Sequence, residues 1–425
     1  AGFDLRVESK ILEEMALLFS RGRLVFNRSL NADLNMRVFE ALSCGSLLLT
    51  DRLPAEAGLE ELFADRKHLV LYGEDDLEEL ARYYVENEAE REQIAAEGRR
   101  LALERHTYGH RADQVLVRVR YSACCATDFD LIDGTMPDQA RYPIILGHEW
   151  SGEVVEAPPG YAHLAGKAVV ADNLVTCGIC PACVGGRPNL CRKMEELGFS
   201  LNGAHAEYLV TLARSVRVLP SGLSLKAAAL AEPVGVALYG ARRARIGPGD
   251  RVVVLGAGPI GLFTMQVCRA AGAAEVWQAD LRAERLDLAR RLGATGILDL
   301  SKMSLAEALG SANAEADVVM ECSGNPKALS QAIKVVRPGG RVGVIGYYGD
   351  ELAEIRPSDI MMRDLEVLGA VCPTGTWDAA LHLIADGRVN TEAVITHTFP
   401  LERFAEAYEV ARHGTGGAIK VMLEI

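Results

Sequence analysis

The stretch RVVVLGAGPIGLFTMQVCRAAG, residues 251–272, joins a short apolar run, a cluster of glycines and a helical pattern. Val252–Leu255 is continuous and apolar, as a strand buried on both faces requires. Gly256, Gly258 and Gly261 follow as G-x-G-x-x-G, and a helical pattern runs from about Pro259 to Ala271. Such glycines allow a tight turn, close approach of backbone to a pyrophosphate, and helix–strand packing, with the phosphates at the helix N-terminus. Pro259 and Ile260, in the first helical turn, are counted with them as cofactor-binding. Alone the motif is weak, but a second apolar run, EVWQAD, ends in Asp280 about 20 residues on, where a carboxylate bonds a ribose 2′-hydroxyl. That carboxylate repels a 2′-phosphate, so NAD is expected over NADP. Arg282 and Arg285 read either as a solvated helix face or as cofactor contacts, and Arg285 is kept as a cofactor candidate.

Upstream, TCGICPACVGGRPNLC (176–191) holds Cys177, Cys180, Cys183 and Cys191 as C-x2-C-x2-C-x7-C. Two-residue gaps let successive sulfurs converge, and the Gly-rich return brings in the fourth. Four thiolates at about 2.3 Å suit tetrahedral Zn²⁺, and a closed shell leaves no place for substrate, so this zinc is expected to be structural. Spacing alone leaves an iron–sulfur cluster open. A third reading, disulfides, conflicts with a reducing compartment.

Between these lie Cys125 in YSACCATDFD and His148-Glu149 in YPIILGHEWSGEVVE. Cysteine, histidine and carboxylate with one open position form a ligand set for a catalytic zinc, which polarises an alcohol oxygen. A lone His-Glu pair is usually ordinary surface or core, and adjacent cysteines are usually buried hydrophobes. Their place just ahead of the four-cysteine lobe favours the metal.

The chain has 425 residues, room for two or three domains. No apolar run is long enough for a bilayer, and AGFDLRVESK at the start shows no export signal, so a cytoplasmic chain without membrane partners is expected. A net charge of −13 without a basic block argues against nucleic acid.

From about Val115 onward the chain resembles the zinc-dependent medium-chain alcohol and polyol dehydrogenases, in their sorbitol-dehydrogenase-like branch. The likeness rests, in order, on VLVRVRYSACCATD, YPIILGHEWSGEVVE, the four-cysteine lobe, GAHAEYLV, AEPVGVALYGARRARIGPGDRVVVLGAGPIG, DVVMECSGNPKAL, VRPGGRVGVIG and the tail to Ile425. It implies an α/β chain in which a Rossmann doubly wound parallel sheet is inserted in a GroES-like, β-rich catalytic domain. The expected boundaries are 113–241 for the zinc domain, 242–376 for the NAD domain and 377–425 for the return. It implies that Cys125, His148 and Glu149 bind the catalytic zinc, that Glu232 reaches it directly or through water, and that Thr127 takes the alcohol proton. A secondary alcohol, polyol or sugar-like, becomes the expected substrate, and a homo-oligomer the expected assembly. Some positions depart from the pattern. Ser122, Ala123 and Cys124 precede the zinc cysteine in place of the commoner Cys-Gly-Ile. Phe129-Asp130 stands where relatives often have a histidine, leaving Asp130 or water to finish the proton relay. His205 replaces a common apolar ring and is read as structural.

The β-hairpin that opens this family is absent, which should leave a flank of VLVRVRYS as an unpaired edge, to be covered by the N-terminal lobe or a neighbouring subunit. In its place NRSLNADLNMRVFEALSCGSLLLTD and ERHTYGHRA resemble the C-terminal end of spore-maturation-protein-like glycosyltransferases. Residues 1–112 are thus expected to form a partial glycosyltransferase-like α/β lobe, with Asn35, Arg37 and Glu40 near a nucleotide-sugar in such enzymes. The acceptor half and much of the donor half are expected to be missing, so the alternatives to a dehydrogenase are a nucleotide-sugar-binding remnant or a catalytically impaired fusion.

Overall fold

The computed structural model describes residues 12–29, 34–73, 75–105, 113–136, 138–312 and 315–425. The chain divides into two compact units, Ala1–Asp113 and Gln114–Ile425. Most of ERHTYGHRA and four residues of the NRSLNADLN stretch lie outside the described residues.

The first unit alternates helices α1 (Leu12–Arg21), α2 (Met36–Ser43), α3 (Leu77–Glu86) and α4 (Glu88–Arg105) with strands β1 (Leu24–Asn27), β2 (Leu47–Asp51) and β3 (Val70–Tyr72). The strands form one parallel sheet, β1-β2-β3, and Leu47, Leu48 and Leu49 are buried because helices cover both faces. Gly98 lets α4 lie against the backbone of His68: a Cβ there would meet the His68 carbonyl at 2.1 Å.

The second unit opens with β4 (Gln114–Ala123), α5 (Ala126–Asp133), β5 (Glu149–Glu156), β6 (Ala168–Ala171), β7 (Leu174–Val175), β8 (Glu195–Glu196), β9 (Tyr208–Leu212) and β10 (Val216–Val218). Helix α6 (Ala231–Arg243) leads to β11 (Arg251–Leu255), α7 (Pro259–Ala270), β12 (Glu275–Asp280), α8 (Ala283–Arg291), β13 (Gly296–Asp299) and α9 (Leu305–Ser311). There follow β14 (Ala316–Glu321), α10 (Pro326–Val335), β15 (Val336–Val344), β16 (Glu366–Gly369), α11 (Trp377–Ala385), β17 (Ile395–Pro400), α12 (Phe404–His413) and β18 (Lys420–Glu424).

Strands β11 to β16 form one wholly parallel sheet in the order β13-β12-β11-β14-β15-β16, the doubly wound order whose reversal point lies beside the first strand. Val252, Val253, Val254 and Leu255 are all buried, as their unbroken apolar run requires. Gly256 takes φ +93°, and a Cβ on Gly261 would sit 1.7 Å from the Gly256 carbonyl, so only glycine lets α7 start so close to the strand.

The other large sheet runs β10-β6-β5-β4-β18-β17, with β9 also on β4. Valines 115, 117 and 119 alternate inward along β4 while Arg118 is exposed, the period of a sheet with one buried face. The expected unpaired flank does not exist. One side of β4 pairs with β5; the other pairs with β9 at Gln114–Arg118 and with β18 at Tyr121–Ala123. Strands from much later in the chain supply the partners that a hairpin's absence seemed to remove. The last segment thereby returns to the first sheet of this unit, and β18 brings Lys420 beneath the residues described next.

Candidate active site and metal centres

Cys125 stands at the N-terminal end of α5, just after β4. The Asp128 carboxylate accepts the Cys125 backbone N–H at 2.8 Å, which fixes the start of the helix. The Thr127 hydroxyl donates to Cys125 Sγ at 3.3 Å. His148 immediately precedes β5, and Glu149 opens that strand and pairs across to Ala123. The donor atoms of Cys125, His148 and Glu149 all lie within 4.8 Å of one another. His148 and Glu149 are buried, and Cys125 is partly open.

Charge is concentrated here. Burial works against a charged His148, but Cys125, Asp128 and Glu232 raise its pKa well above the usual imidazole value. Burial pushes the Glu232 carboxyl up to about 8; His148 opposes that rise, and Glu149 and Glu196 add to it. Glu232, in the first turn of α6, is therefore near the cluster but not among the three residues whose donors converge. Glu196 is likewise pushed up by burial to about 7, and Asn173 Nδ2 donates to it at 2.6 Å. Asp130 is raised by burial, and Thr135 Oγ1 lies 3.3 Å from its Oδ1.

Lys420 was not singled out in the sequence. It is buried, with Nζ 2.7 Å from both Glu149 oxygens and 3.0 Å from the Cys124 carbonyl. The aligned hydrogen bond goes to Oε1, and Oε2 is held by the ion pair with the same ammonium. A buried carboxylate beside a thiol and an imidazole, their donor atoms within 4.8 Å, is a donor set that suits a divalent cation. The signal in the sequence was a lone charge inside the apolar run AIKVML, since a buried ammonium demands an anion.

The second cluster fits zinc on its own geometry. The sulfurs of Cys180 and Cys183, and of Cys177 and Cys191, are 3.5 Å apart, and those of Cys177 and Cys183 are 4.0 Å apart. Four sulfurs bonded at about 2.3 Å to a tetrahedral centre stand about 3.8 Å from one another. All four thiols are free. Backbone N–H groups of Ile179 and Cys180 aim at Cys177 and lower its pKa to about 6, toward the thiolate a metal needs.

At the glycine turn, Asp280 accepts the Ala257 N–H at 2.6 Å and the Arg282 N–H at 2.8 Å. The carboxylate thus closes the turn at the C-terminal ends of β11 and β12. Pro259 and Ile260 open α7 after Gly258. Arg285, at the start of α8, has its Nη2 3.5 Å from the Ala418 carbonyl. In the first unit, Asn35 precedes α2, which carries exposed Arg37 and half-buried Glu40. No helix among the described residues is long and apolar enough to cross a membrane.

Comparison with known proteins follows the same division. Profiles for the alcohol dehydrogenase GroES-like domain match residues 111–221 and for the zinc-binding dehydrogenase residues 259–386, while a glycosyl transferase-like profile matches 8–117. The L-threonine 3-dehydrogenase of Bacillus licheniformis is 34% identical over 316 residues, covering 72% of this chain and 90% of that one. The sorbitol dehydrogenase of Halalkalibacterium halodurans is 31% identical, over 73% of this chain and 91% of its own. A zinc-binding dehydrogenase structure from Sinorhizobium meliloti, bound to NADP, superposes with a TM-score of 0.70 at 32% identity, covering 74% of this chain and 92% of that one.

Proposed function

We propose, because the chain belongs to the zinc-dependent medium-chain dehydrogenases of the polyol and threonine dehydrogenase group, that it transfers a hydride between a secondary alcohol, polyol or sugar-like, and NAD. The observation that carries this reading is the convergence of Cys125, His148 and Glu149, whose donor atoms lie within 4.8 Å of one another. Zinc held there supplies a Lewis acid for the alcohol oxygen. The protein's own groups do the rest. Glu232, whose charge acts on His148, is the further carboxylate that would reach the metal directly or through water. The Thr127 hydroxyl, beside Cys125, takes the alcohol proton and passes it toward Asp130 or solvent. Gly256, Gly258 and Gly261 receive the pyrophosphate at the start of α7, and Asp280 meets the ribose. The solved relative binds NADP; the carboxylate of Asp280 at the end of β12 favours NAD here, since it repels a 2′-phosphate.

The four-cysteine lobe holds the structural zinc, and its free thiols suit the cytoplasm. Copies of the chain associate through the edge strand β16, where Val367 is exposed. The test is alcohol-dependent NAD reduction over a panel of polyols, sugars and amino alcohols. Cys125→Ala is expected to abolish it. No turnover across the panel with both zinc sites loaded would defeat the reading, and NADH binding without turnover would favour an impaired fusion. The match over residues 8–117 supports a second reading of the first unit alone, as a nucleotide-sugar-binding remnant. Calorimetric titration with UDP- and GDP-sugars tests it, and heat that Glu40→Ala removes supports it.

A further inference from the structure

Around Asp128, next to Cys125, three buried polar atoms lack hydrogen-bond partners: Asp128 Oδ1, His148 Nδ1 and His205 Nε2. Asp128 stands between the two rings. Its Oδ1 is 3.7 Å from His148 Nδ1, and its Oδ2 is 3.6 Å from His205 Nε2. The carboxylate is fully buried, and its Oδ2 accepts the Cys125 N–H at 2.8 Å. His205 is held from behind. Its Nδ1 lies 2.9 Å from Ser122 Oγ, and its ring packs on Phe404 with centroids 5.4 Å apart. It sits so close to the main chain that a Cβ on Gly147 would lie 2.5 Å from Nδ1.

The surroundings fix the proton on this ring. With the proton on Nδ1, bare Nε2 would set a lone pair against a buried carboxylate. With the proton on Nε2, the Ser122 hydroxyl donates to Nδ1 at 2.9 Å in place of its longer 3.3 Å bond to the Glu149 carbonyl, and an N–H faces Asp128. The same logic places a proton on His148 Nδ1 and leaves its Nε2 free as a donor atom. A phenylalanine at 205 would fill the same space but give Asp128 nothing.

We propose that His205 is a positioning residue: acting through Asp128, it orients the His148 ring and so sets how tightly the Cys125, His148 and Glu149 cluster holds its metal. An imidazole ligand needs its remote N–H anchored, and the buried carboxylate that anchors it, held on Oδ2 by the Cys125 N–H, gains a second donor on that oxygen from His205. The inference rests on the reading of that cluster as the catalytic metal site.

The experiment is chelator competition on the full-length protein loaded with Co²⁺, read from its visible absorption bands. Wild type is compared with His205→Phe and His205→Gln, with NADH fluorescence titration as the control for folding. His205→Phe is expected to weaken retention at the Cys125 site by about tenfold to a hundredfold and to alter its bands. The four-cysteine site and NADH binding stay as they were. His205→Gln, whose amide can donate to Asp128 and accept from Ser122, restores most of the retention. Equal retention in His205→Phe and wild type, or better retention in Phe than in Gln, overturns the inference, because packing alone then explains the ring. Wild-type protein that takes metal only in the cysteine lobe overturns the reading beneath it and the inference with it. If His205→Phe does not fold, Ser122→Ala replaces it with the same sign expected, and unchanged retention there is the contrary result.

Discussion

A lysine in an apolar strand shows what single residues disclose and what they conceal. Lys420 could be recognised as anomalous from AIKVML, yet its partner Glu149 is 271 positions away and no local pattern names it. The ligand types of Cys125 and His148 were legible because few side chains bind zinc, whereas Asp128 and His205 act by burial and contact, which spacing does not encode. Lys420→Met strips a buried counter-charge from Glu149 and is expected to lower the unfolding free energy by about 3 to 5 kcal/mol, measured by urea titration. A change within about 0.5 kcal/mol would show that the pair contributes little. Asp172 supplies a pH test. Burial raises its carboxyl from 3.8 to about 6, so the folded chain binds that proton more tightly than the unfolded chain. The stabilisation is complete below about pH 4 and is lost as pH rises through 6. Asp172→Asn is therefore expected to raise the melting temperature at pH 8 by a few degrees and to leave it unchanged at pH 4. Equal effects at both pH values would exclude the buried carboxyl as the cause.

Elements differed in how openly the sequence announced them. The β11–α7 turn was legible in full, since its run of valines, three glycines and terminal Asp280 each answer a local steric or electrostatic demand. Gly261→Ala forces a Cβ onto the Gly256 carbonyl and is expected to weaken NADH binding by about tenfold or more, by fluorescence titration. Wild-type affinity in that variant would mean that the turn has room the structure does not show. Strand β4 was legible as a strand from its alternating valines, but not its neighbours. Its pairing with β9 and β18 joins residues about 90 and 300 positions apart, and only the folded sheet reveals that both flanks are closed. Register across such distances is set by the whole sheet, so the missing hairpin misled a reading made strand by strand.

At the scale of the molecule, the order of motifs disclosed the dehydrogenase, because turn, metal lobe and ligand pair each require their own chemistry and appear in the family's sequence. The first unit disclosed less. Three parallel strands with covering helices satisfy their own packing without specifying a reaction. Glu40→Ala is accordingly expected to leave alcohol-dependent NAD reduction within about twofold of wild type, and a larger loss would tie the first unit to the chemistry of the second. The central claim, that Cys125, His148 and Glu149 meet at one metal ion, has its most direct test in anomalous diffraction at the zinc edge from crystals of the full-length protein. Two peaks are predicted, one among the four cysteines of residues 177–191 and one about 2.0 to 2.3 Å from both Cys125 Sγ and a His148 ring nitrogen. A zinc-saturated crystal with a peak in the cysteine lobe and none between Cys125 and His148 would contradict it.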